Sequence, residues 1–287
     1  SMTTQSLLKE ATEKSTISTL GLEGCSLNEE SLKLLRSLLL NLPLRNLALT
    51  SIEGSARHLT HLHQLQSLKI AISKEDGEHM HDILQNNRLQ SLHLHRCELT
   101  PRPLKHFPSF DSLRELHIKI PTNADWVPLI PALPNHLHTL HLSAVFATED
   151  GFLAISTALS QCTGLNDLLI RNEIAHLHLQ SSTSEALFAS IAGCVRIKSL
   201  VLHRLNIDAA AMHNLTRMLH SLYHLDVLGL SENGLNSDAF ITLLECLKQR
   251  SQLEIMDLSL NPGCADRNVV KKMQKCCHYL LHHVRKL

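Results

Sequence analysis

Aromatic side chains are scarce, 3 % of the 287 residues, so any core of useful size has to be packed from leucine, isoleucine and other aliphatic residues. Charge of one sign is also lacking. Lysine plus arginine equals aspartate plus glutamate at 27 each, which leaves no overall field to draw in a polyanion, and neither nucleic acid nor an anionic membrane is the expected partner. No apolar run approaches the roughly 18 residues of a spanning helix, so membrane insertion is not expected. Eight cysteines are present without the regular spacing of a disulfide framework. Free thiols follow, and with them a soluble protein of a reducing compartment. The phosphate-cradling G-x-x-x-x-G-K, the zinc-binding H-E-x-x-H, the dinucleotide turn G-x-G-x-x-G and the nucleophile elbow G-x-S-x-G are all absent, so no cofactor and no small-molecule substrate are expected.

What is present is repetition. The frame L-x-x-L-x-L can be laid on the chain ten times, with first positions at residues 17, 44, 65, 89, 113, 137, 165, 197, 225 and 253. The successive separations are 27, 21, 24, 24, 24, 28, 32, 28 and 28 residues. Inside each frame the apolar residues alternate, as at Leu92 and Leu94 or Leu140 and Leu142, so a short strand sends them inward and the residues between them outward. The chain must then return. Segments 148–162, 183–194, 208–223 and 236–250 carry apolar residues at spacings of three and four and predict helices, with Thr148, Asp208 and Ser237 as N-caps. Seven of the nine prolines fall in the returns after the fourth and fifth strands, where long helices are improbable.

The stretches SLHLHRCEL at 91–99 and VLGLSENGL at 227–235 resemble leucine-rich-repeat proteins of the ribonuclease-inhibitor type. That resemblance implies an α/β solenoid: a horseshoe with a parallel concave sheet, about ten repeats, helical convex returns and a capping helix at the C-terminal end. One domain over 1–287 is expected, with an N-terminal cap at 3–16, repeats at 17–264 and the capping helix at 265–287. Val269, Val270, Met273, Cys277, Leu280, Leu281 and Val284 form the apolar stripe of that last helix. Irregular repeats and a histidine-rich surface are also similar to the stand-alone repeat effectors of Legionella-type bacteria. That likeness implies a protein secreted into a host cytosol, where it binds and masks a host or co-delivered bacterial protein.

The fifth position of each frame forms a column on the outward strand face: Gly21, Ala48, Lys69, His93, His117, His141, Leu169, Val201, Gly229 and Asp257. The seventh position adds His95, Lys119, Arg171 and His203, and Glu23, Glu115 and Asp167 flank the band with acid. Parallel strands about 4.8 Å apart should set His93, His117 and His141 in a ladder of adjacent imidazoles, expected to depress one another's pKa and to stand largely neutral at pH 7. One reading is that exposed strand positions must be polar and histidine fills them. The other makes Lys69, His93, His95, Glu115, His117, Lys119, His141, Asp167, Arg171 and His203 the binding surface for a protein partner. A metal site is not expected, because strand side chains on a parallel face stand alongside one another instead of converging.

Three chemical alternatives remain at this stage. A regulator of a GTPase or another nucleotide-hydrolysing protein is one, since such activators exist on this repeat fold. A hydrolase built on Ser91, His117 and Glu115 is another, poorly supplied with oxyanion donors because strand amides are consumed by the sheet. Cys264-Ala265-Asp266 is similar to the C-x-D of bacterial ubiquitin ligases that carry leucine-rich repeats, but the large helical domain around that cysteine has no counterpart in the 21 residues after Asp266. Cys264 is expected in a turn, Asp266 at a helix cap, and Cys162 and Cys194 in the core. The overall expectation is a binding scaffold without catalytic activity.

Overall fold

The computed structural model describes residues 16–23, 29–50, 56–71, 77–95, 111–119, 133–144, 149–172, 181–248 and 253–282. Two compact units divide the chain, Ser1–Pro134 and Asn135–Leu287. Cys25, Cys97, Trp126, Thr148, most of the proline-rich returns and the expected N-terminal cap lie outside the described residues.

In the first unit five parallel strands lie side by side in chain order: β1 (Thr19–Gly21), β2 (Asn46–Leu49), β3 (Ser67–Ala71), β4 (Ser91–His95) and β5 (Glu115–Lys119). Helices α1 (Glu29–Asn41) and α2 (Gly77–Asn86) fill two of the returns, and a single turn of 3-10 helix, Ala56–His58, fills the 21-residue one. The second unit has six strands, again parallel and in order: β6 (Thr139–Ala144), β7 (Asp167–Asn172), β8 (Ser199–His203), β9 (Val227–Gly229), β10 (Leu253–Asp257) and β11 (Cys277–Leu281). Between them run α3 (Glu149–Leu159), α4 (Ser181–Gly193), α5 (Ala209–Ser221), α6 (Ser237–Leu247) and the short α7 (Arg267–Met273), each packed on the next. One strand and one return per repeat is the α/β leucine-rich-repeat solenoid expected.

The core follows from the frame. Every frame residue except Ile17 and Leu20 is buried, and successive strands pair frame position on frame position, Leu168 on Leu200 and Leu200 on Leu228, so the leucines stack in continuous rows. Phe152, Phe188 and Phe240 drive one ring from each of α3, α4 and α6 into the same core, which is how nine aromatic residues suffice. Cys162 and Cys194 are core residues as expected. Burial pushes their thiols up to about 11 and about 12, and Cys194 Sγ donates to Leu159 O at 3.4 Å.

Turns after the strands are held by asparagine side chains. Asn233 Oδ1 accepts from Leu205 N at 2.7 Å while its Nδ2 donates to Leu202 O at 2.7 Å. One repeat on, Asn261 Oδ1 accepts from Asn233 N and Leu235 N at 2.9 and 3.0 Å, and its Nδ2 donates to Leu230 O and Leu258 O. Each amide thus ties its own turn to the preceding one. The turns are left-handed at Arg204, Glu232 and Leu260, with φ of 56°, 55° and 61°, a conformation that costs a non-glycine residue about 1–2 kcal/mol. The ladder of buried hydrogen bonds offsets that cost.

Two details differ from the sequence expectation. The cap of α6 is Asn236, whose Oδ1 accepts from Ala239 N at 2.9 Å, not Ser237 one residue later. The C-terminal helix is present only as α7, capped by Asp266 through Asn268 N and Val269 N, and it stops at Met273. Residues 277–281 turn instead into β11, pairing Leu253 with Cys277 and Met256 with Leu280. Apolar residues at spacings of three and four fit either element over so short a run, and the unpaired amides of β10 favour the strand.

Asn261→Ala takes the side-chain partner from two buried N–H donors and two buried carbonyls, and at about 1–3 kcal/mol for one stranded buried group a drop of at least that size is expected in the urea unfolding free energy. An unchanged unfolding midpoint would show that the asparagine ladder does not hold the turns.

Candidate protein-binding face

Period-two alternation leaves frame positions three, five and seven on the outward strand face, and in each unit the register brings them into columns. In the first unit Ala48, Lys69, His93 and His117 are successive neighbours, and Ala71, His95 and Lys119 form the column beside them. In the second, His141 neighbours Leu169, then Val201, Gly229 and Asp257 follow, with Ser143, Arg171 and His203 alongside. The expected columns exist within each unit.

His93 and His117 stack ring on ring, with centroids 3.9 Å apart and planes 7° from parallel. Glu115, at the third position of the same face, lies against both. Its Oε1 is 2.8 Å from His117 Nε2 and 3.3 Å from His93 Nε2. Ser91 Oγ is 3.1 Å from His93 Nε2 and hydrogen-bonds Glu115. Partial burial pushes the Glu115 carboxyl up, but the Ser91 hydrogen bond and the charges of His117 and His93 outweigh it, and the group lies below its ordinary value. The repulsion expected between neighbouring imidazoles is thus met by a carboxylate shared between them.

These distances do not make a nucleophilic triad. Ser91 and Glu115 both approach Nε2 of His93, whereas a relay needs the hydroxyl on one ring nitrogen and the orienting carboxylate on the other. His117 faces Glu115, not Ser91, among the hydrogen bonds described.

Further along the first unit, Lys69 Nζ reaches Glu23 Oε1 at 2.8 Å across strands, and this contact holds the exposed Glu23 carboxyl below its usual range. His95 is pushed down by burial first and then by Lys69, His93 and Lys119, against a smaller pull from Glu23. His95 lies in the column beside the ladder, and its burial lowers it more than any one of these neighbouring charges does.

In the second unit His141 Nε2 sits 2.9 Å from Asp167 Oδ2. His203 hydrogen-bonds Ser231 Oγ through Nδ1 at 2.8 Å, and its Nε2 lies 3.4 Å from Glu232 Oε1. Glu232 Oε2 accepts from Arg204 Nε at 2.6 Å. Arg204, Ser231 and Glu232 were missed from sequence. The signal was the 28-residue period itself, carried past the end of the frame, which sets Arg204 and Glu232 at equivalent places in successive turns.

No family model matches the chain, and no curated protein does. Among solved structures, the chain is similar to one in the crystal structure of the Rad7 and Elc1 complex in yeast. The likeness has a TM-score of 0.52 and 16 % identity, over 97 % of this chain and 82 % of that one. At that identity the likeness is one of fold, and with the repeat geometry it defines an α/β leucine-rich-repeat solenoid. Among the described residues no helix is long and apolar enough to cross a membrane.

Burial pushes the His203 imidazolium below the ordinary 6.5, with Arg171 and Arg204 adding to the shift and Glu232 and Asp257 opposing it. The unfolded chain therefore takes up this proton at higher pH than the folded one, and stability present above about pH 6.5 is lost as pH falls toward the folded value. His61 and His95 shift in the same direction. The urea midpoint is expected to fall from pH 7 to pH 5, and less steeply in His203→Gln. An equal slope in that variant would contradict the shift.

Proposed function

We propose that this protein is a binding scaffold that docks another protein on its outward strand face and has no catalytic role of its own. The observation that carries the reading is the pair of register-aligned polar columns. In the first unit Lys69, His93, His95, Glu115, His117 and Lys119 share one strand face, and in the second His141, Asp167, Arg171 and His203 do so. Their backbones are fixed by the parallel ladder and their side chains are partly exposed, so little conformational freedom remains to be lost on docking. Imidazole donates and accepts, and carboxylates and cations alternate beside it, a mixture that suits a polar partner surface. The neighbour from yeast is itself in a complex of two proteins, which is consistent with a scaffold.

The finer reading is that the partner is covered and inhibited, with the chain acting as an effector delivered into a host cytosol. The irregular repeat lengths and the histidine-rich, mixed-charge face are what support it.

Immobilised protein is expected to retain a specific partner from cytosolic lysate. His93→Ala with His117→Ala in the first unit, or His141→Ala in the second, should weaken that partner's affinity at least about tenfold, or about 1.4 kcal/mol. His213→Ala with His220→Ala, exposed on α5, should leave it unchanged. The opposite pattern would move the docking surface to the helices.

A further inference from the structure

Strand side chains on a parallel face stand alongside one another, an arrangement that by itself disfavours a shared metal ion. In β4 and β5 the imidazoles of His93 and His117 do stand alongside, but Glu115 lies against both of them. One donor atom from each of His93, Glu115 and His117 lies within 4.8 Å of the other two. We propose that these three residues form a binding site for a divalent metal ion of the zinc class, with a water in the fourth position.

Donor chemistry comes first. Two imidazoles and one carboxylate are a set that suits Zn²⁺, and three protein ligands with an exchangeable fourth are the arrangement of an open tetrahedral site. Spacing comes next. Bonds of about 2.0–2.1 Å at tetrahedral angles set ligand atoms about 3.3 Å apart. His93 Nε2 and Glu115 Oε1 are already 3.3 Å apart, and His117 Nε2 at 2.8 Å from the same oxygen has to move out by about half an ångström.

The stacked rings must also turn, since their lone pairs are nearly parallel. Side-chain exposures of 24 % and 25 % leave the two imidazoles room to do so. An outer shell is in place: Ser91 hydrogen-bonds Glu115 and orients the carboxylate, the kind of support that metal-bound groups require. The backbone beneath is rigid, because all five residue pairs of β4 and β5 are in register. The ion would replace the hydrogen bond between Glu115 and His117 and the 3.3 Å contact between Glu115 and His93. The site lies within the proposed docking face, but metal binding needs no partner and is tested with the chain alone, so its failure would leave the docking reading standing.

The test is titration of the full chain with Zn²⁺ by calorimetry, repeated with Co²⁺ as a spectroscopic probe, in buffer free of chelator. The expected result is one equivalent of Zn²⁺ bound tightly and, with Co²⁺, visible absorption of a four-coordinate ion that Zn²⁺ abolishes. Glu115→Gln keeps the shape of the carboxylate and should weaken that equivalent at least tenfold, as should His117→Ala, with the circular dichroism unchanged. Because the chain has 21 histidines, His220→Ala with His224→Ala serves as control and should leave the tight equivalent intact. The proposal is overturned if no tight equivalent binds, if Co²⁺ stays six-coordinate, or if the control pair removes the equivalent while Glu115→Gln keeps it.

Discussion

A single repeat of this chain cannot bury its own leucines, and everything else in the structure follows from that constraint. Each frame offers one row of aliphatic side chains to the inside, and the row is removed from water only when the next repeat lies against it. Full burial of a leucine contributes about 1.5–3 kcal/mol, so register between repeats is enforced wherever frame positions meet. Parallel strands then follow directly, because successive repeats run the same way. The same register that stacks Leu168 on Leu200 inside stacks Lys69 on His93 outside. An ordered outward face is therefore a by-product of core packing: side chains placed at frame positions three, five or seven line up at strand spacing along it.

The asparagines complete this logic at the turns. Between strand and return, backbone amides and carbonyls are turned inward where neither ladder nor helix satisfies them, and Asn233 and Asn261 supply the missing partners. At the other end of a return, just after α2 in the first unit, buried Asn87 accepts from Leu65 N and donates to Leu62 O and Ile83 O. Non-glycine residues tolerate left-handed turns after the strands because the ladder leaves no alternative of equal energy.

The frame was legible because it is set by burial, and burial leaves a period that can be counted. Helices α3 to α6 were legible for the same reason, since apolar residues at three and four spacing mark the face that packs. Asp208 declared itself as a cap by its chemistry, while Asn236 beside Ser237 did not, because both side chains can accept and only geometry chooses. Strand β11 was hidden by Cys277 and His282, which break the frame at its first and sixth positions, and by the helical spacing that Leu280 and Leu281 happen to share. On the outward face, which residues share a column was readable from frame position alone. That Glu115 closes on two imidazoles was not: a side chain's direction depends on the neighbours it finds, and a residue assigned to the flank turned out to join the ladder.

The proposed docking role puts the partner on the outward strand face and not on the helices. Histidines on both faces allow a direct measurement: acylation by diethyl pyrocarbonate, followed residue by residue with mass spectrometry, on the chain alone and with its captured partner bound. Binding is expected to lower the reactivity of His93, His117 or His141 while His213 and His220 react as before. Protection of the α5 histidines with the strand histidines left reactive would contradict it.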